Sequence, residues 1–271
     1  MNKMLTFFTA PITALFSPSV YRDAAKSSPA RGVLYSLYLA GLSCVLVMMV
    51  VSVKIMPQAD AFAGWIKTSM PALLWTPAGL SLENGKTTAE LQHPKYGMIA
   101  LFDMTKTSAT EADMGKAYLL VTSQKVYIRK APGQVEERDI TGAGMRSNQS
   151  LPPKVRIDGG IAEKLYQNLK KALAFALPFM ILILSLVFFL VMNLFYSLAG
   201  LLFNKMRKDK LGYGAIFNLT CFAMTASFTL TWLKVLIPVP AFPGTFGLNV
   251  LVTLLYMYFA FKITDSKPEV I

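Results

Sequence analysis

ALAFALPFMILILSLVFFLVMNLFYSLAGLLF, residues 172–203, runs between Lys171 and Lys205 without one charged side chain. A hydrocarbon slab of ~30 Å takes ~20 apolar residues as a helix, because every backbone amide must find its partner inside the segment. This stretch is long enough to cross. Working outward, VLYSLYLAGLSCVLVMMVVSV (33–53) is charge-free between Arg31 and Lys54. Residues 213–237 are apolar apart from Asn218, several Ser/Thr and Lys234, and 245–262 follow a Pro-rich turn and end on Lys262. Lys234 stands near its span's end, where a four-carbon stem lets the ammonium reach the interface.

Composition agrees with that class. Hydrophobic residues make up 54% of the chain and charged ones 15%, and mean hydropathy is +0.46, far from a soluble domain. Charge is nevertheless concentrated: residues 54–172 hold 16 of the 27 Lys/Arg and 11 of the 15 Asp/Glu. The expected fold is therefore membrane α-helical, four transmembrane helices with a small α+β extracytoplasmic domain inserted between the first two.

Short flanking segments set orientation, since long loops translocate largely regardless of charge. Arg22, Lys26 and Arg31 precede the first span, and Lys205, Arg207, Lys208 and Lys210 crowd the loop after the second. With Lys234, these are the expected topology and interface anchors. The map that follows has a cytoplasmic segment at 1–32, the first span at 33–53 and the extracytoplasmic domain at 54–172. The second span is 173–203, a basic cytoplasmic loop 204–212, the third span 213–237, an external turn 238–244, the fourth span 245–262 and a cytoplasmic tail 263–271. Both termini fall inside, as expected of a bacterial cytoplasmic (inner) membrane protein. Bulky valines in Val51-Ser52-Val53 deny a cleavage site, so the first span reads as an uncleaved signal anchor. Ahead of it, Phe8, Ile12, Leu15 and Phe16 fall at helical spacing, an interfacial amphipathic element if Pro11 sits at a helix start.

Within 54–172, Phe62, Trp65, Ile66, Met70, Leu73 and Leu74 predict an amphipathic helix. LSLENGKTTAEL (80–91) reads as a hairpin turning at Asn84-Gly85, a pair that readily takes the positive φ of a type I′ turn. Further strands are expected at 97–104, 117–123, 125–130 and 134–140, with loops at 105–116 and 142–153. Ile161, Leu165, Leu169 and Leu173 restore a helical period that runs into the second span through Pro178.

The inventory for catalysis is short. There is one histidine, His93, and the two cysteines, Cys44 and Cys221, both lie inside apolar stretches. A metal site, a Ser-His-Asp arrangement and a disulfide framework all lack parts, so no cofactor or metal is expected and the chain reads as a non-enzyme. No Gly-rich phosphate loop is present, and the Lys/Arg form no dense aromatic-interleaved run, which excludes nucleic acid. Three polar residues stand out as candidates: Asp103 at the end of an apolar strand, and Asn218 and Thr225 near one face of the third span, where a polar path or interhelical hydrogen bonds would place them.

Several motifs resemble a known grouping. Ser17-Pro18-Ser19-Val20-Tyr21 ahead of a signal anchor, LENGK in the insert, the strand ending in Asp103, LLVTSQKVYI and the GYGAIFNL entry to the third span are similar to an uncharacterised bacterial four-span membrane family. That family, a domain of unknown function, is grouped with Yip-type multi-span proteins, and some members are labelled maltodextrin-utilisation proteins. The resemblance implies no enzyme activity and no cofactor. The expected role is accessory, sensing or scaffolding through the extracytoplasmic domain. The alternative is a subunit or accessory of a small-solute, sugar included, transporter. Expected partners are the lipid bilayer and a membrane or periplasmic protein, with a homo-oligomer left open.

Overall fold

A computed structural model describes residues 9–141, 154–237 and 245–265. The loop expected at 142–153, the turn at 238–244, Phe8 and the tail beyond 265 lie outside them. The described elements are helices α1 (Ala10–Phe16), α2 (Pro18–Ala25) and α3 (Pro29–Val50), a π-helical turn (Val51–Ile55) and α4 (Met56–Ser69). Strands follow: β1 (Leu73–Thr76), β2 (Gly79–Leu82), β3 (Thr88–His93), β4 (Gly97–Asp103), β5 (Leu119–Thr122), β6 (Lys125–Ala131), β7 (Gln134–Asp139) and β8 (Val155–Ile157). A 3-10 turn (Glu111–Met114) sits between β4 and β5, and α5 (Gly159–Lys205), α6 (Tyr213–Leu236) and α7 (Thr245–Asp265) complete the order. Among the described residues, four helical stretches are long and apolar enough to cross a membrane: Pro29–Ser69, Gly159–Lys205, Tyr213–Val235 and Phe246–Asp265. The chain divides into two compact units, one of Met1–Met49 with Ala176–Ile271 and one of Val50–Phe175.

In the first unit α6 is the most enclosed helix. Its Ile216, Leu219 and Phe222 pack with Tyr35, Leu39, Met257 and Phe261. The Tyr35 and Phe222 rings stack 4.0 Å apart. Pro11 falls in the first turn of α1, where its missing N–H costs nothing. Ala14 is buried and accepts a 2.7 Å hydrogen bond from the Tyr21 hydroxyl, while Ile12 and Phe16 are 65% and 80% exposed. One face of α1 is thus fixed to the bundle and the other is apolar and open, the pattern of an interfacial helix.

The helix that carries the first expected span continues past residue 53. It widens into the π turn and continues as α4, because Pro57 has no N–H to donate and its ring crowds the carbonyl four residues back. Helix α4 then ends at Ser69, and Met70, the residue before Pro71, is extended at φ −68, ψ 125. The helix expected through Leu73 and Leu74 is therefore cut short. Those residues form β1 instead.

Two sheets make up the second unit. One has the order β2-β1-β8 and the other β3-β4-β5-β6-β7, antiparallel throughout except for the parallel pair β4–β5. The expected hairpin at Asn84-Gly85 is not formed. β2 pairs with β1 in the register Trp75↔Leu80, and β3 pairs with β4, so the Asn84-Gly85 turn, with Gly85 at φ +70, links the two sheets. Gly79, at φ +138, lets β2 approach the other sheet: Leu80 N–H donates to Ser123 O at 2.7 Å, and a Cβ on Gly79 would stand 2.3 Å from that oxygen. Alternation along β4 and β5 sends Phe102 and Val121 toward the inter-sheet core and Leu101 and Leu120 to the far face. There they meet Met114 of the 3-10 turn and Tyr127.

Candidate functional site

Among the described residues, an apolar cavity opens between the two sheets of the second unit. Leu73, Trp75, Leu80, Val155 and Ile157 face it from one sheet, and Leu91, Ala100, Phe102, Leu119, Val121 and Val126 from the other. Phe62 and Ile66 of α4, with Met70, Ile99, Ile140 and Ala162, complete the wall of a cavity of about 720 Å³. Every lining residue is apolar. The one polar atom nearby is already used, since Trp75 Nε1–H donates to Ile140 O at 2.8 Å.

The cavity is open on one side, so its apolar wall is a surface that a guest can cover and not a sealed void. Water is a poor filler where no wall group can bond it, whereas apolar cavities take up apolar guests. The volume lies inside the ~300–1,000 Å³ range of ligand sites.

Polar links brace the two helices that contribute Phe62, Ile66 and Ala162. Asp60 of α4 accepts from Lys170 Nζ at 2.6 Å and from the Tyr166 hydroxyl at 2.7 Å, both on α5. The Lys170 bond first, and the Tyr166 bond next, hold the Asp60 carboxyl below the usual range. Lys67 pairs with Glu163 at 2.8 Å, and Gly159 packs against Lys67 so closely that a Cβ would meet its carbonyl oxygen at 2.3 Å. Beside Phe62, His93 rests edge-on to Trp65 at 4.5 Å and against Tyr96 at 4.7 Å, and its Nδ1 accepts the Lys95 N–H at 3.0 Å. That leaves Nε2 as the protonated nitrogen of the neutral ring.

Asp103 stands away from the cavity. Its Oδ1 accepts from Thr105 N–H at 3.1 Å and from the Thr105 hydroxyl at 2.5 Å, closing the turn after β4. Lys106 reaches it at 3.9 Å and binds Asp113 more closely, at 2.5 Å. No group of three or more metal-ligating side chains gathers among the described residues.

The chain belongs to the DUF1189 family. The family model, described as a protein of unknown function, covers residues 8–261. No curated protein and no solved structure matches the chain.

In the first unit of this DUF1189 chain, the polar residues of α6 are tethers. Asn218 is fully buried; its Oδ1 accepts from Gly32 N–H at 2.9 Å, and its Nδ2 lies 3.0–3.1 Å from the carbonyls of Ala24, Ser27 and Ser28. One amide thus ties the end of α2 to the start of α3, where helix ends have fewer backbone partners than helix interiors. Thr225 bonds the Tyr35 hydroxyl at 2.6 Å. Asn193 bonds Cys221 Sγ at 2.6 Å and also Thr220, which in turn meets Ser197 at 3.0 Å. Asn218 and Thr225 therefore serve different partners.

The basic residues divide. Lys26, Lys205, Lys208 and Lys210 are exposed, and Lys234 sits in the last turn of α6. Arg31 bonds Ser27 Oγ at 2.7 Å and lies over the Phe222 ring, and Arg22 is half-buried. Arg207 is different in kind: its side chain, 6% exposed, donates to Phe261 O, to Thr264 Oγ1 at 2.7 Å and to Thr264 O at 3.2 Å, and pairs with Asp265 at 3.5 Å. It clamps the end of α7, where carbonyls lack helical partners. Charge counting alone assigned it to topology. The Thr264-Asp265 pair at the end of an apolar helix is the signal that hinted at a second role.

Proposed function

We propose that this protein is a four-span, non-enzymatic sensing or accessory protein of a bacterial cytoplasmic membrane, with both termini inside. Its second unit is extracytoplasmic and binds the hydrocarbon chain of a lipid or fatty acid. The apolar cavity of about 720 Å³ carries this reading. A wall without a free donor or acceptor selects hydrocarbon and leaves any head group outside. Both chain connections of the domain run into spans, so an acyl chain is the apolar guest most concentrated around it. At ~0.8 kcal/mol per buried methylene, a dozen methylenes contribute ~10 kcal/mol before the cost of immobilisation, enough for specific binding.

The three tryptophans supply the test, because Trp75 lines the cavity. A full-length Trp65→Phe/Trp232→Phe variant in phosphatidylcholine nanodiscs, titrated with a bromine-labelled fatty acid, should show saturable quenching of Trp75. Filling the cavity with Val126→Phe and Val155→Phe should abolish it. Quenching that rises without saturation and ignores the filled cavity would remove the binding reading. Stable co-purification of a transport complex, with no quenching, would favour the transporter-accessory role and the sugar-uptake association that the family resemblance implies.

A further inference from the structure

Helix α2 carries Ser19, Arg22, Asp23 and Lys26 at spacings of three and four residues, which puts them on one face. With Ala25, Leu211 and Thr264 they line a pocket of about 320 Å³ in the first unit. Leu211 lies two residues ahead of α6, and Thr264 is the last residue but one of α7. The pocket is therefore level with the ends of two helices long enough to cross a membrane, which in a bilayer is the depth of the lipid head groups.

Arg22 stands out among these residues. It is half-buried and makes no hydrogen bond or ion pair with the described residues. Its Nε is buried and unbonded, while its two terminal nitrogens, also without partners, stay accessible. A guanidinium cannot shed its proton, so a charge held in this position keeps its demand for an anion. The carboxylate next to Thr264 does not supply one, because Asp265 is taken by Arg207 at 3.5 Å. Lys26, one turn beyond Arg22, is likewise unpaired among the described residues, and Asp23 bridges to neither cation. Two cations a turn apart suit one phosphate, with the guanidinium fork on two oxygens and the ammonium on a third. Arg22 and Lys26 against Asp23 leave the pocket one positive charge in excess. A monoanionic phosphodiester neutralises that charge, and a zwitterionic head group does not.

We propose that this pocket binds an anionic phosphodiester, its phosphate gripped by Arg22 and Lys26. The site rests on the four-span reading but is independent of the cavity in the second unit. An anionic phospholipid and a soluble phosphate ester both carry that chemistry.

Native mass spectrometry of the full chain in mild detergent, titrated with phosphatidylglycerol or with phosphatidylcholine of the same acyl chains, counts the lipids bound. The first phosphatidylglycerol should bind at a concentration about tenfold lower than the first phosphatidylcholine, a ratio in line with one charge-assisted hydrogen bond. Arg22→Gln with Lys26→Gln should bring the two lipids together. Lys208→Gln with Lys210→Gln, the same change of charge outside the pocket, should keep the preference. Equal binding of the two lipids by the unaltered protein would overturn the proposal, and that comparison stands even if the Arg22 variant fails to assemble. Retention of the preference by the Arg22 pair, or an equal loss from both pairs, would overturn it too, since the preference would then belong to the basic surface at large. Glycerophosphoglycerol, the same head group without acyl chains, assigns the source: displacement of phosphatidylglycerol at equal concentration would keep the site for a soluble ester, and failure to displace it would assign the site to lipid. Val126→Phe with Val155→Phe should leave the preference intact while abolishing the quenching of Trp75, so the two sites stand or fall separately.

Discussion

The interiors of the two units are built in opposite ways. In the first, Asn193, Asn218, Thr220 and Thr225 are fully buried, and each is spent on a hydrogen bond to another part of the bundle. In the second, the described residues between the sheets are apolar and surround a cavity. Lipid is as apolar as leucine, so spans cannot be held together by hydrophobic burial and depend on packing and polar contacts. Water surrounding a sheet domain supplies the hydrophobic driving force, and the domain can tolerate a gap if a guest fills it. The polar atoms lie where rigidity is needed, and the empty volume lies where something can enter.

The sharpest way to break the contrast is Asn218→Leu. It strips a donor and an acceptor from backbone groups at two helix ends and leaves no polar atom in their place, and we expect a loss of up to about 3 kcal/mol, at the upper end for one buried polar side chain. Gly32→Ala should act in the same direction, since its Cβ would stand 2.6 Å from Asn218 Oδ1. Thermal unfolding in mild detergent measures both. If either variant melts with the parent, the tether reading of the first unit fails.

The converse change belongs to the second unit. Val126→Phe with Val155→Phe should raise the melting temperature of ligand-free protein by the equivalent of about 1–2 kcal/mol, as cavity-filling substitutions commonly do. It should also remove any further rise on adding fatty acid. Destabilisation by these residues would mean the space is smaller than it measures and the core already complete.

Arg207→Lys should cost about 1 kcal/mol, because an ammonium cannot span Phe261 O, Thr264 Oγ1 and Thr264 O as a guanidinium fork does. Lys208→Gln, one residue on and fully outside that clamp, should change stability by less than about 0.5 kcal/mol. Equal effects of the two would return Arg207 to a purely topological role.

What the sequence disclosed follows from the range of the interactions involved. The four long apolar helices were legible because their signal is local, an unbroken apolar run such as 172–203. Strands β4 to β7 were legible from short apolar runs and turns. The end of α4 was also written locally, in Pro71, but the helical spacing of Met70, Leu73 and Leu74 outweighed it. Asn84-Gly85 announced a turn correctly while saying nothing of which strands it joins. The role of Asn218 could not be read at all, since its partners lie 186 to 194 positions away. The cavity is further still from local pattern. Its volume is a property of Phe62, Trp75, Val126 and Val155 meeting imperfectly, and each of them alone reads as ordinary core.

The smallest effect sits on the surface of the second unit and tests whether its polar exterior matters as the first unit's polar interior does. Asp113 is held well below the usual carboxylate range, chiefly by the hydrogen bond from Lys106 and then by the Thr110 backbone and hydroxyl. Lys106 is raised in turn, first by Asp113. A depressed carboxyl contributes stability above its unfolded pKa of about 3.9 and loses it as pH falls through the lower folded value. A raised ammonium contributes below its unfolded pKa of about 10.4 and loses that contribution as pH rises through the higher folded value. Asp113→Asn should therefore melt slightly below the parent across the plateau between those limits, and the gap should close in acid. Both groups are solvent-exposed, so salt should shrink the difference as well. A gap that persists unchanged at pH 2 and in high salt would mean that Asp113 acts by the shape of its capping turn, which asparagine alters, and that charge on this surface is incidental.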